Sequence, residues 1–417
     1  MTQPNSAVII GGGVIGTACA YYLSRRGLRV TIVEQGQFAM GASHANCGYV
    51  SPSHVLPLAM PGAVRKAMKM MWQKNSPIYV KPRIDFRLMS WLWKFARRCN
   101  EKDMLEGGAG RHALLQSSRE LFDELIRDES LQCEYETIGC LFAYENAQAF
   151  DHFAEEDALI QKHFGVAARR LDGEQLVELE PAMKPNLAGA WLYEMDAHLR
   201  PDRLMDSWKT VLEQRGVNIL ENTTARGFAQ EGKRTTSLIT DSDPIRADVF
   251  IVATGALTPL LEKHLGCKIP IQPGKGYSIT MPRPAICPNY PMILPEVKVA
   301  VTPFHSGYRL GSTMEFSGYD TTLNPRRLNA LKEGAAKFLR EPYCKPVEEQ
   351  WYGWRPMTYD GVPIISRAPV AENIYIAAGH NMLGLSMATA TGTLVAELVT
   401  GEPPNIDPTP YEVARFQ

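Results

Sequence analysis

Residues 7–34 read AVIIGGGVIGTACAYYLSRRGLRVTIVE, and the architecture of the chain is set by this stretch. Ala7 to Ile10 is a short apolar run that suits a buried strand. It ends in Gly11-Gly12-Gly13, after which Ile15, Cys19, Tyr22 and Leu23 recur at helical spacing until Gly27 closes the helix. Leu28 to Val33 reads as a second strand, and Glu34 stands at its end. Gly11-x-Gly13-x-x-Gly16 therefore joins a strand to a helix. The first Gly makes the tight turn, the second lets the backbone approach a pyrophosphate, and the third lets the helix pack on the strand. The helix N-terminus with Val14 and Ile15 then faces the phosphates. Glu34 and Gln35 are placed to reach the adenosine ribose, which selects FAD or NAD over NADP.

The choice between FAD and NAD rests on the residues immediately downstream. An NAD enzyme would continue with further strand and helix units, whereas here come Gly41 and Ala42 and then Ser43, His44, Ala45, Asn46, Cys47 and Gly48. Such small and polar residues allow close approach to a large ligand, and they point to FAD. Strands at Val249 to Ala253 and Ile374 to Ala378 also end in Gly turns, at Ala253, Thr254 and Gly255 and at Gly379 and His380. Met382, Leu383 and Gly384 lead into the helical run Leu385 to Leu398. That run would aim a second helix N-terminus at the cofactor, where its dipole favours negative charge on a reduced flavin. Ala225 completes the expected cofactor contacts.

Helical patterns dominate the region past the nucleotide unit: Met89 to Arg98, Leu114 to Arg127, Phe150 to Phe164 and Leu204 to Arg215. Between Ile269 and Gly318 the pattern changes to short strands, including Tyr277 to Met281 and Lys298 to Thr302. The expected fold is thus α/β, an interrupted Rossmann-type FAD-binding domain plus a substrate domain with a mixed β-sheet and helices.

The 417 residues are enough for more than one core, and 45% hydrophobic with 21% charged residues is ordinary globular composition. Lys plus Arg (44) balances Asp plus Glu (45), so no overall field draws in nucleic acid. Eight scattered cysteines without a C-x-x-C pair or zinc spacing read as reduced thiols. The short polar N-terminus reads as no signal peptide, and no stretch reaches the ~18 uncharged apolar residues of a spanning helix. A cytoplasmic protein is expected. Met68 to Trp72 and the run Met89 to Arg98 mix aromatics with Lys and Arg, as in a helix lying on a membrane interface. Peripheral contact with the inner face of the plasma membrane would suit electron delivery to a quinone, though buried amphipathic helices look the same.

Beyond these local patterns the chain resembles the D-amino-acid oxidase superfamily of FAD enzymes, and within it the bacterial D-amino-acid dehydrogenases. The resemblance runs nearly end to end. It rests on Gly11 to Gly16, Ser43 to Pro52, Pro61-Gly62, Trp91 to Asn100, Gly274-Lys275-Gly276-Tyr277-Ser278, Trp354 to Gly361 and Gly379-His380. It implies non-covalent or occasionally covalent FAD. It also implies a discontinuous FAD domain, over 1–85, 195–262 and 350–417, beside a substrate domain over 86–194 and 263–349. Where related dehydrogenases carry an Arg for the substrate carboxylate, this chain has Pro303, and His44 and Tyr49 also depart from the pattern. A cyclic imino acid such as D-proline or hydroxy-D-proline is therefore a reasonable substrate.

Amine oxidation by a flavin needs a neutral nitrogen and a well-placed Cα–H, so positioning matters more than a strong base. A substrate carboxylate calls for a buried Arg. Arg355 is the first choice and Arg309 the second; an ion pair with Asp360 would make Arg355 merely structural. Tyr277 is either a substrate contact or core, and Lys275 either sits near the flavin or is a solvated strand end. His44 and His380 could take the proton of a substrate ammonium, given an ordinary pKa near ~6.5. The leading expectation is oxidation of a D-amino acid, and the alternative is a sarcosine- or glycine-type amine oxidase or dehydrogenase on the same fold.

Overall fold

The structure, a computed structural model, describes residues 3–71 and 78–417. Two sheets organise it. The first runs in the order Ile364–Arg367, Ile374–Ala378, Val249–Val252, Ser6–Ile10, Arg29–Val33, Asn218–Leu220. All neighbours are parallel except the first pair. Ser6–Ile10 sits in the middle because Val8, Ile9 and Ile10 are apolar on both faces and fully buried, as an interior parallel strand requires.

The glycine-rich turn behaves as its chemistry demands. A Cβ on Gly16 would fall 1.9 Å from the Gly11 carbonyl oxygen, so only glycine lets the helix Val14–Arg25 lie on its strand. Gly11 has φ +111°, and there a Cβ would meet the Ala253 carbonyl at 2.5 Å. The closing helix Ala388–Thr400 packs against Val14–Arg25, with Gly392 pressed onto Ala18.

The second sheet has nine strands and is mostly antiparallel, with Ile271–Met281 flanked by Glu349–Thr358 and Gly307–Phe316. The expected boundary at 350 falls inside Glu349–Thr358, which pairs with Ile271–Met281 from end to end. Ile78–Val80, expected with the FAD domain, pairs with Met314–Phe316 of this sheet. Helix Glu101–Glu129, expected with the substrate domain, buries Leu114, Leu115, Phe122 and Leu125 in the same core as Tyr21 and Leu23. Pairing and burial, which are tertiary, draw these lines differently from pattern alone.

The expected helices occur as Phe86–Arg98, Glu101–Glu129, Ala147–Phe164 and Pro201–Gln214. Among the described residues all eight cysteines are free thiols, and no helix is long and apolar enough to cross a membrane.

Candidate active site

A cavity of about 2080 Å³ is lined from both sheets. Gly11, Gly13, Val14, Ile15, Glu34 and Gln35 of the nucleotide unit line it. Glu34 holds the turn in shape, accepting from the Gly12 N–H at 2.8 Å and the Gly36 N–H at 3.0 Å. Gly13 leaves room for a ligand, since a Cβ there would meet only the Ser43 hydroxyl, at 3.3 Å. Ala225, Ala253, Thr254 and Gly255 line the same cavity, as do His380, Met382, Leu383 and Gly384. Gly16, His44 and Gly379, expected beside the cofactor, do not line it. Gly16 serves helix packing, and Gly379, at φ +81°, carries a turn packed so closely on Thr358 that a Cβ would lie 2.7 Å from its methyl group.

The loop Ser43 to Gly48 is fastened group by group. The Ser43 hydroxyl accepts from the Val14 N–H at 2.9 Å, and Asn46 bonds both the Ser43 carbonyl and the Gly48 N–H. Three successive carbonyls are then tied to the large sheet. Ser278 donates to Ala45 O at 2.8 Å, Arg309 to Asn46 O at 2.8 Å, and Thr302 to Cys47 O at 2.7 Å. A fourth close approach, Cys47 against the sheet, exists because Gly311 lacks a Cβ that would lie 2.5 Å from the Cys47 sulfur.

These contacts separate the two candidate arginines. Arg309 is 1% exposed, does not line the cavity, and also donates to Thr280 while lying 3.5 Å from Asp202. It is loop scaffolding rather than the substrate grip expected of it. Arg355 is half-buried and lines the cavity. It donates to the Thr313 carbonyl at 2.7 Å, and among the described residues no carboxylate lies within ion-pair distance of it. Asp360, the alternative partner, is engaged by Arg415 at 2.8 Å. Burial lowers the pKa of Arg355, with the nearby Cys47 opposing. The guanidinium lies across Gly276, where a Cβ would come within 2.3 Å of Nη1.

The other candidates divide. His380 lines the cavity and is hydrogen-bonded to Thr391 at 3.0 Å; burial lowers its pKa to about 3, so it is neutral and a poor acceptor for an ammonium proton. His44 turns away to Glu349 at 2.8 Å, and that hydrogen bond raises its pKa. Tyr277 lines the cavity, but its hydroxyl donates to Glu315 at 3.1 Å. Lys275 is fully buried outside the cavity, donating to the Thr322 carbonyl and resting over the rings of Tyr277 and Tyr352. Pro303 is buried in the strand Val299–Phe304 and does not line the cavity, so that departure says little about substrate choice.

Several lining residues carried no signal in the sequence. Arg111, 4% exposed, donates to the His54 carbonyl at 2.7 Å, and burial lowers its pKa to about 10. The ring of His54 is held neutral, its pKa lowered to about 4 by burial. Lys298 and Glu156 face the same cavity. Burial, then Lys66, lowers the pKa of Lys298, and burial raises that of Glu156. Each is drawn in from a distant element, so no local spacing announces it.

The arrangement is that of a two-sheet FAD oxidoreductase with a large open cavity. Residues 6–398 match the DAO family of FAD-dependent oxidoreductases, and the chain belongs to it. It is 32% identical to the D-amino acid dehydrogenase of Granulibacter bethesdensis, over 98% of this chain and 99% of that one. The D-amino acid dehydrogenase of Methylobacterium nodulans is 31% identical over 98% of each chain. Among solved structures, glycine oxidase from Geobacillus kaustophilus superposes with a TM-score of 0.80 at 20% identity, covering 100% of this chain and 99% of that one. L-proline dehydrogenase from P. horikoshii gives 0.74 at 21% identity, covering 100% and 98%. The chain is thus an FAD-dependent enzyme of the amino acid dehydrogenase and oxidase type.

Proposed function

We propose that this enzyme oxidises the amine of a D-amino acid to the imine, which water hydrolyses to the 2-oxo acid, while Arg355 grips the substrate carboxylate. The observation that carries this reading is Arg355 itself, a cavity-lining cation without an acidic partner among the described residues. A half-buried cation without a counter-charge is costly, and a substrate carboxylate would supply the missing partner bidentately. The relatives' name, D-amino acid dehydrogenase, favours the D-series.

Gly11, Gly13 and Glu34 would hold the adenosine and pyrophosphate half of FAD, and the loop Ser43 to Gly48 with His380 to Gly384 would hold the flavin half. When bound, FAD supplies the hydride acceptor. The chain's own residues position the substrate, and no strong base is needed because the amine reacts in its neutral form. His380, uncharged, contributes shape and a hydrogen bond rather than proton transfer.

Anaerobic bleaching of the flavin band by D- and L-amino acids, prolines, sarcosine and glycine tests the reading. D-Amino acids should bleach it, with apparent affinity lowered more than about 100-fold in Arg355→Ala. Bleaching by sarcosine or glycine alone would move the enzyme to the simple-amine class, and bleaching only by L-substrates would overturn the stereochemical assignment.

The electrons pass to a quinone at an anionic membrane face. Supporting this, Ile84, Phe86, Met89 and Trp93 are 87%, 79%, 58% and 58% exposed, with Arg97 stacked over Trp93 at 4.8 Å. Met68 is 59% exposed beside the exposed Arg65, Lys66 and Lys69, while Trp72 lies outside the described residues. Apolar side chains interleaved with cations suit a lipid interface. Co-sedimentation with anionic vesicles should fall several-fold in Trp93→Glu; equal partition of both proteins would sink the idea.

A further inference from the structure

Trp351, Gly353 and Arg355 alternate along the strand Glu349–Thr358 and therefore share one face of the large sheet. They stand directly opposite Ser278, Gly276 and Gly274 of Ile271–Met281. This is the face that meets the loop Ser43 to Gly48, since Ser278 donates to the Ala45 carbonyl. At its centre Gly276 and Gly353 are paired with each other.

Each of the two glycines lies under a long side chain. A Cβ on Gly276 would fall 2.3 Å from Nη1 and 2.4 Å from Cζ of Arg355. A Cβ on Gly353 would fall 2.1 Å from Cη2 and 2.5 Å from Cζ2 of Trp351. Neither glycine has a positive φ, so what they provide is room above the sheet rather than backbone freedom. Paired α-carbons are about 5 Å apart, which sets the guanidinium and the outer edge of the indole side by side.

Both groups open on the cavity. Trp351 and Arg355 are half-buried and line it. The indole N–H of Trp351 has no hydrogen-bond partner among the described residues and, unlike those of Trp208 and Trp354, is not enclosed by protein. The cavity floor here thus has a cationic half and an aromatic half. A carboxylate on the first would carry its α-substituent only two bonds away, within reach of the second.

We propose that the Trp351 indole is the platform for the substrate's side chain, selecting D-amino acids whose side chain is apolar or aromatic over D-alanine. The inference rests on the reading that a carboxylate binds at Arg355. A flat apolar surface rewards such side chains by area and ring contact and gives a methyl group little.

The test uses the FAD-loaded enzyme. Acetate and benzoate, carboxylates with no amine to oxidise, are titrated against the flavin spectrum, and apparent Kd values for D-alanine and D-phenylalanine are read from anaerobic flavin reduction. The parent should favour benzoate over acetate and D-phenylalanine over D-alanine. Trp351→Ala should cut each preference roughly tenfold, with the loss falling on the aromatic ligand. Gly353→Ala should do the same with Trp351 intact, because the new methyl group takes the place of the ring. If Trp351→Ala does not load with FAD, Gly353→Ala decides alone. An unchanged benzoate-to-acetate ratio in either loaded variant overturns the proposal, and so does equal weakening of all four ligands. If neither acid perturbs the parent's flavin spectrum, the carboxylate reading falls and takes the platform with it. If Arg355→Ala loses both acids while the Trp351 and Gly353 variants match the parent, that reading stands and only the role of Trp351 falls.

Discussion

The loop Ser43 to Gly48 and the bulge Ser312 to Met314, where Gly307–Phe316 shifts register against Ile271–Met281, both border the cavity, and they are finished differently. In the loop the carbonyls of Ala45, Asn46 and Cys47 each have a donor from the large sheet, and both ends of the Asn46 amide are used. In the bulge a hydroxyl is idle, two non-glycine residues adopt left-handed backbone, and the neighbouring cation lacks a carboxylate. Proteins satisfy buried polar groups wherever they can, so the loop, with each of these groups paired, reads as scaffolding. The contrast also explains why two arginines on the same sheet have different duties. Arg309 spends its donors on protein, while Arg355 retains donors to offer.

Removing Arg309 should produce the largest structural effect. Arg309→Leu leaves Asn46 O and Thr280 without their donor and Asp202 without its cation, at a cost of about 3 kcal/mol, and it frees the loop that lines the cavity. The purified variant should carry substoichiometric FAD and unfold at lower urea. Full FAD content together with a parent-like urea midpoint would break the distinction between scaffold and grip. Arg355→Ala, by contrast, should keep its FAD and lose carboxylate affinity.

A smaller and pH-dependent effect is expected at His44, whose side chain leaves the loop for Glu349. The pairing raises the pKa of His44 and lowers that of Glu349. Stability from the raised His is present in full below its unfolded value near ~6.5 and is lost as pH climbs through the folded value. Stability from the depressed Glu is present above its unfolded value near ~4.3 and is lost as pH falls through its folded value. The pair therefore contributes most between those two values, by at most about 1 kcal/mol since both side chains are partly exposed. Melting temperatures of the parent and His44→Gln should differ most between those two unfolded values and converge as pH rises through the folded value of His44. A gap that widens as pH rises would show that the ion pair is not what His44 contributes.

The cofactor half was legible because its signals are local. Gly11, Gly13, Gly16 and Glu34 act through backbone conformation and spacing within one strand, helix and strand unit, and nearby residues suffice to read it. Ser43, Ala45 and Asn46 were legible as small residues and do line the cavity, although what fastens them was not legible.

The substrate half resisted for the opposite reason. Arg309 and Arg355 both stand in strands and look alike as sequence; what separates them is that Arg309 meets Asn46 across 263 positions while Asp360 goes to Arg415 instead. His380 was readable as a cavity residue but not as a permanently neutral one, because its pKa is set by burial among distant elements. Arg111, Lys298 and the bulge at Thr313 had no local mark at all. The family, the cofactor and the turn that cradles it are written in the chain's own order, since they come from periodicity and from where glycine is obligatory. Which cation is left unpaired and which hydroxyl idle emerges in three dimensions alone, because those properties belong to partners, and partners are chosen by folding.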